Sequence, residues 1–130
     1  MQLTNNKKVY FASDQHLGAP TYELSLPREK LFVAWLDSIK ADAEVIFLLG
    51  DLFDFWFEYK TVVPKGFIRV LGKLAELRDS GIPIYFFTGN HDLWMGDYFQ
   101  KELDIPIFYK NQEFEFNGKT FLLGHGDGLG

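Results

Sequence analysis

Cysteine is absent from the 130 residues, so disulfides and thiolate metal sites are excluded, and any metal must take oxygen and nitrogen ligands. Also absent is a run of about 18 apolar residues that could span a bilayer. The opening Met1-Gln-Leu-Thr-Asn-Asn-Lys-Lys lacks the apolar core of a secretory signal. These absences lead us to expect a cytoplasmic protein. Basic residues are outnumbered, 13 against 18 acidic ones, for a net charge of −5. That balance disfavours the broad phosphate-backbone grip of a nucleic-acid binder, and no nucleic-acid partner is expected. What the chain does have is aromatic bulk: 18% of its residues are aromatic, and Phe alone occurs 14 times. With 47% apolar residues the chain is built to bury a core, and its length suits one domain, residues 1–130.

Three short apolar runs, residues 9–12, 44–49 and 82–87, are rich in β-branched or aromatic side chains and lead into polar, glycine-containing segments. They read as buried parallel strands. Between the first two, Pro27 suits an early helical position, and Leu31, Phe32, Trp35, Leu36 and Ile39 follow with helical spacing. Phe67, Val70, Leu71, Leu74 and Leu77 repeat the pattern before Gly81 and Pro83 end it. Residues 97–103 predict a further short helix. Residues 113–116 and 120–123 flank Asn117-Gly118, a strong hairpin signal. The expected class is α/β with a mainly parallel sheet and flanking helices.

In open α/β sheets ligands bind beyond the carboxyl ends of the strands, and every polar cluster of this sequence falls there. The first strand delivers Asp14 and His16, the second Asp51 and Asp54, the third Asn90, His91 and Asp92, and the hairpin His125 with Asp127. All 3 histidines sit at such ends. Carboxylate, imidazole and amide oxygen suit Mn²⁺, Fe²⁺, Zn²⁺ or Mg²⁺, and one carboxylate can bridge two ions about 3.5–4 Å apart. Asp51 is the natural bridge, because Gly50 before it lets the backbone turn sharply.

The motifs Asp14-x-His16, Gly50-Asp51-x-x-Asp54, Gly89-Asn90-His91-Asp92 and Gly124-His125, in this order, resemble those of the calcineurin-like metallophosphoesterases. The resemblance implies half of a metallophosphoesterase β-sandwich that holds two divalent ions, Mn²⁺ first among the candidates. It makes Asp14 and His16 ligands of one ion, Asp51 the bridge, and Asn90 and His125 ligands of the other. His91 would contact the phosphate or the leaving oxygen, Asp92 would orient its ring, and Asp54 would hold a ligand histidine in place. Within the family, residues 50–56, 89–94 and 124–127 look most like the UDP-2,3-diacylglucosamine pyrophosphatases of lipid A synthesis. His91 is a departure from them, since their well-known members carry Arg there. The activity implied is hydrolysis of UDP-2,3-diacylglucosamine to UMP and 2,3-diacylglucosamine 1-phosphate. A general phosphodiesterase or nuclease would share the same ligands, and an inactive scaffold is the non-enzymatic alternative.

Family members add a later Gly-His-x-His motif that these residues do not contain. The expectation is therefore an N-terminal part of the domain that holds most of the site without completing it, with partial metal occupancy and little activity. The plain alternative for Asp54 and Asp127 is that an Asp after a strand caps a turn. Phe53, Phe55, Trp56, Phe57 and Tyr59 either pack in the core or, with Trp94 and Met95, line an apolar groove for acyl chains or rest on an inner-membrane surface. Arg69, Lys73 and Arg78 read as a solvated helix face. A homodimer through an exposed sheet edge is a further expectation.

Overall fold

The computed structural model describes residues 6–58, 62–89 and 95–124. The chain runs β1 (Lys8–Ala12), α1 (Tyr22–Ile39), β2 (Ala43–Leu48), α2 (Ile68–Asp79), β3 (Ile84–Phe87), α3 (Tyr98–Leu103), β4 (Ile107–Phe108), β5 (Gln112–Phe116) and β6 (Lys119–Leu123). The first four strands form one parallel sheet in the order β1-β2-β3-β4, and β5 and β6 pair separately as an antiparallel hairpin. The class is α/β, as the sequence predicts.

Spatial order follows chain order, so right-handed crossovers put successive helices on the same face of the sheet. Residues alternate across a strand, and β2 shows the consequence. Its Ile46 and Leu48 join Phe32, Leu36, Leu74, Leu77 and Phe99 in the helix-side core. Its Val45 and Phe47 point the other way, where Phe87, Phe116 and Leu123 cover them. The hairpin thus closes the face that the helices leave open. That second layer is aromatic: Phe47 packs 4.8 Å from Phe114 and 5.5 Å from Tyr85, centroid to centroid, and Phe87 lies 5.1 Å from Phe108. Much of the aromatic excess is therefore packing between the sheet and the hairpin, with each fully buried ring worth about 1.5–3 kcal/mol of transfer from water.

Several elements differ from the sequence reading. Helix α1 begins five residues before Pro27, because Thr21 caps it: the Thr21 Oγ1 accepts from Leu24 N–H at 3.1 Å. Pro27 lies inside the helix and removes one N–H. The buried stripe Ser25, Glu29, Phe32, Leu36 and Ile39 holds the helix across it. Helix α2 starts at left-handed Phe67 with no side-chain cap of its own; instead the buried Glu29 accepts from Val70 N–H at 3.1 Å. A two-residue strand, β4, which no sequence pattern announces, adds the fourth strand of the sheet. Of the basic residues of α2, Arg69 is exposed as expected, but Lys73 and Arg78 are not simply solvated. Lys73 bonds Asp37 and Glu76 at 2.9 and 3.0 Å, while Arg78 bonds the Ile82 carbonyl at 2.9 Å and the Asp104 carboxylate at 2.5 Å. They fasten α2 to α1 and to the segment after α3. No helix among the described residues is long and apolar enough to cross a membrane.

Candidate metal centre

Past the ends of β1 and β2 the two chains stay zipped. Asp14 N–H donates to the Gly50 carbonyl at 3.1 Å, His16 N–H to Asp51 and Leu17 N–H to Leu52 at 2.9 Å each, and Asp54 N–H returns to Leu17 at 2.9 Å. Leu17 and Phe53, which face each other in a bridge, are wholly buried and anchor this double loop to the core. Residues between these anchors are turned toward the carboxyl end of the sheet. Asp14, His16 and Asp51 each adopt a left-handed backbone, with φ of 60°, 48° and 52°. For a residue with a Cβ that conformation costs about 1–2 kcal/mol. Such strain is characteristic of sites where the surrounding structure over-determines the backbone.

The three side chains converge. His16 Nε2 lies 3.9 Å from Asp14 Oδ1 and 3.9 Å from Asp51 Oδ2. One ligand atom from each residue falls within 4.8 Å of the others. That is the spacing of two carboxylates and an imidazole around a divalent ion, and the donor set is the oxygen and nitrogen one that Mn²⁺, Fe²⁺, Zn²⁺ or Mg²⁺ takes. Asp51 is buried, 5% exposed, whereas Asp14 is open to solvent. A buried carboxylate is expensive unless cations or donors match its charge, which suits Asp51 to a shared, central position. On the far side of the ring, His16 Nδ1 lies 3.5 Å from Asp54 Oδ1.

A third strand end closes on the same carboxylate. A Cβ placed on Gly89, just after β3, would sit 2.2 Å from Asp51 Oδ1 and 2.7 Å from the Asp51 backbone nitrogen. Only glycine lets this loop approach so closely. The residues that follow, Asn90, His91 and Asp92, and the pair His125 and Asp127, lie outside the described residues.

Sequence reasoning missed two anchors. Arg28 of α1 donates from Nη2 to the His16 carbonyl at 3.0 Å and to the Ala19 carbonyl at 2.6 Å. Ser25, one turn earlier, accepts from Gly18 N–H at 2.8 Å. Neither carries a sequence signal, since a serine and an arginine on an amphipathic helix are unremarkable.

The aromatic run divides. Phe53 and Trp56 are core, and the Trp56 indole donates to Glu58 at 2.8 Å. Met95 is also buried. Phe55 and Phe57 stay exposed, at 62% and 45%. Glu58 also receives Tyr98 N–H at 3.2 Å, and the Tyr109 hydroxyl donates to the Met95 carbonyl. Burial, and then the Glu58 charge, push the Tyr109 hydroxyl up from its ordinary pKa. Tyr59 and Trp94 lie outside the described residues.

Residues 7–128 match the protein family described as calcineurin-like phosphoesterase. The chain is 48% identical over 120 residues to a UDP-2,3-diacylglucosamine hydrolase of Porphyromonas gingivalis, a match that takes in 92% of this chain and 46% of that protein. It is 35% identical over 126 residues to the protein of the same name from Haemophilus influenzae, covering 95% and 50% respectively. The chain thus spans about half the length of the curated relatives it matches. Among solved structures, a protein of unknown function from Aquifex aeolicus aligns with a TM-score of 0.61 at 24% identity, covering 92% of this chain and 61% of that one. The Pseudomonas putida nuclease MPE aligns at 0.54 and 24% identity, covering 81% and 49%. At that identity the two structures speak for the fold alone.

Proposed function

We propose, on the premise that the chain belongs to the calcineurin-like phosphoesterase family, that it forms the first half of a metal-dependent hydrolase whose substrate is UDP-2,3-diacylglucosamine. The reaction splits the phosphoric anhydride into UMP and 2,3-diacylglucosamine 1-phosphate. The convergence of Asp14, His16 and Asp51 within 4.8 Å carries the hydrolytic part of this reading. The substrate rests on the relatives: the P. gingivalis and H. influenzae proteins are both named UDP-2,3-diacylglucosamine hydrolases.

Two divalent ions, Mn²⁺ by preference, would supply positive charge to the phosphate oxygens and activate a water for attack in line with the leaving group. Asp14 and His16 would hold one ion, Asp51 would be shared, and Asn90 and His125 would hold the other. Asp54 fixes the His16 ring from its Nδ1 side. His91, oriented by Asp92, protonates the leaving oxygen or steadies its charge. The exposed Phe55 and Phe57 follow directly on the Asp51 loop and suit contact with an acylated substrate or an inner-membrane surface. The outer edge of β1, at one end of the sheet order, would serve a homodimer.

The test is UMP release from UDP-2,3-diacylglucosamine with and without Mn²⁺, set beside a lipid-free phosphodiester. Expected is Mn²⁺-dependent release, slower than that of the P. gingivalis relative and abolished in Asp51→Ala. Equal cleavage of the lipid-free diester would instead favour a general phosphodiesterase. Absence of turnover on both substrates would overturn the enzymatic reading of this chain.

A further inference from the structure

The loop that carries His16 into α1 is short, and the helix itself fastens it. Ala19 N–H closes a turn onto the His16 carbonyl at 3.2 Å, and the Arg28 guanidinium adds a second donor to that same oxygen at 3.0 Å. The same Nη2 also reaches the Ala19 carbonyl at 2.6 Å, so one planar nitrogen spans both ends of the turn. Ser25, fully buried one helical turn before Arg28, takes Gly18 N–H at 2.8 Å and donates its own proton to the Tyr22 carbonyl at 3.0 Å. Residues three apart on a helix lie on one face, so Ser25 and Arg28 form a two-pronged clamp over residues 16–19.

The clamp acts where the backbone most needs support. His16 is left-handed at φ 48°, a conformation uncommon for a residue with a Cβ and one that its neighbours must hold. On the opposite side, His16 N–H is tied to the Asp51 carbonyl at 2.9 Å. The histidine is thus gripped at its N–H by the β2 loop and at its carbonyl by α1. Relaxing either grip would let the φ angle drift and swing Nε2 away from Asp14 and Asp51.

We infer that Arg28 is a positioning residue for the metal centre: by holding the His16 carbonyl, it keeps the imidazole aimed between Asp14 and Asp51. The inference rests on the metal-centre reading above. It assigns no contact with substrate or ion to Arg28 itself. A lysine ammonium has donors enough for both carbonyls, but it is a strongly hydrated point charge on a flexible stem and lacks the pre-organised guanidinium fork.

Mn²⁺ affinity, read by electron paramagnetic resonance or calorimetry, tests it in a set of single variants. Arg28→Ala is expected to weaken Mn²⁺ binding about ten-fold, the scale on which support groups behind metal ligands act, and Arg28→Lys is expected to recover part of the loss. Arg28→Met, which keeps the stem and deletes only the donors, carries the same expectation if the alanine variant does not fold. Lys73→Ala breaks the ion pair with Asp37 that ties α2 to α1, touches none of residues 16–19, and should leave affinity unchanged, which separates aiming from general destabilisation. His16→Ala is the reference for the centre itself. Wild-type affinity in the Arg28 variants, with His16→Ala weakened, would overturn the positioning role alone. Wild-type affinity in His16→Ala would overturn the metal-centre reading and this inference with it. A loss in Lys73→Ala equal to that in Arg28→Ala would reduce Arg28 to a structural contact and also overturn the inference.

Discussion

His16 and Asp54 stand back to back across the imidazole plane: Nδ1 lies 3.5 Å from Asp54 Oδ1, while Nε2 is turned toward Asp14 and Asp51. A carboxylate at Nδ1 keeps the proton on that nitrogen and leaves the Nε2 lone pair for a cation.

Asp54→Ala should therefore weaken Mn²⁺ binding by about 10–100-fold, while Asp54→Asn, which can still accept from Nδ1, should lose less. Calorimetric titration of both variants decides it. Equal affinity in wild type and Asp54→Ala would leave Asp54 as a turn-capping residue only.

Gly89→Ala should damage fold and site together. The new methyl would overlap Asp51 Oδ1 and the Asp51 backbone nitrogen, so the carboxylate must move. A stability loss of about 1–3 kcal/mol is expected from the forced shift, accompanied by weaker Mn²⁺ binding. Gly72→Ala is the contrast: it lies inside α2 with open space around its Cβ position, and it should stabilise by about 0.5–1 kcal/mol. Thermal melting of the pair gives shifts of opposite sign.

Trp56 is a packing residue in a segment rich in exposed aromatics. Its ring lies 4.5 Å from that of Phe53 and 5.6 Å from that of Phe99. Trp56→Ala should cost about 3–5 kcal/mol, whereas Phe55→Ala should cost little and act only on an acylated substrate. Denaturant unfolding of both variants checks the first statement, and the KM for substrates with and without acyl chains checks the second.

Glu76 supplies a pH-dependent tie between α1 and α2. Its hydrogen bond to Lys40 and then that to Lys73 hold its carboxyl below the ordinary value of 4.5. A lowered folded-state pKa gives stability that is present above 4.5 and lost as pH falls through the folded value. Wild type should thus exceed Glu76→Gln in stability at neutral pH, and the two should converge on acidification below 4.5. The pair is exposed, so salt should narrow the gap at neutral pH. Melting temperatures across pH 3–7 at two ionic strengths would show both effects.

Short apolar runs were enough to reveal the first three strands and helical spacing the two main helices, but only β2 and β3 are buried: β1, at the end of the sheet order, has no buried residue. The start of α1 was not legible, since Pro27 mimics a helix opening and Thr21 makes its cap through a single hydroxyl. Strand β4, two residues long, is too short to show alternation. The cap of α2 comes from Glu29, 41 residues earlier, and no local pattern announces a long-range cap. In the candidate site, Asp14, His16 and Asp51 were legible because they fall together at the carboxyl ends of successive strands, in motifs that resemble those of the family. Arg28 and Ser25 were not, because they act on backbone atoms of the loop, and neither an exposed arginine nor a buried serine on a helix prints a pattern that points to such a contact.

Because strand order follows chain order, Asp14, His16, Asp51 and Asp54 all belong to one β-α-β unit and meet through a single crossover. Their encounter requires closure of only the stretch between β1 and β2, with Arg28 riding on the helix that makes the crossing. The cluster of Asp14, His16 and Asp51 therefore rests on a long-range parallel pairing, the kind that is slow to form, and not on contacts local in the chain.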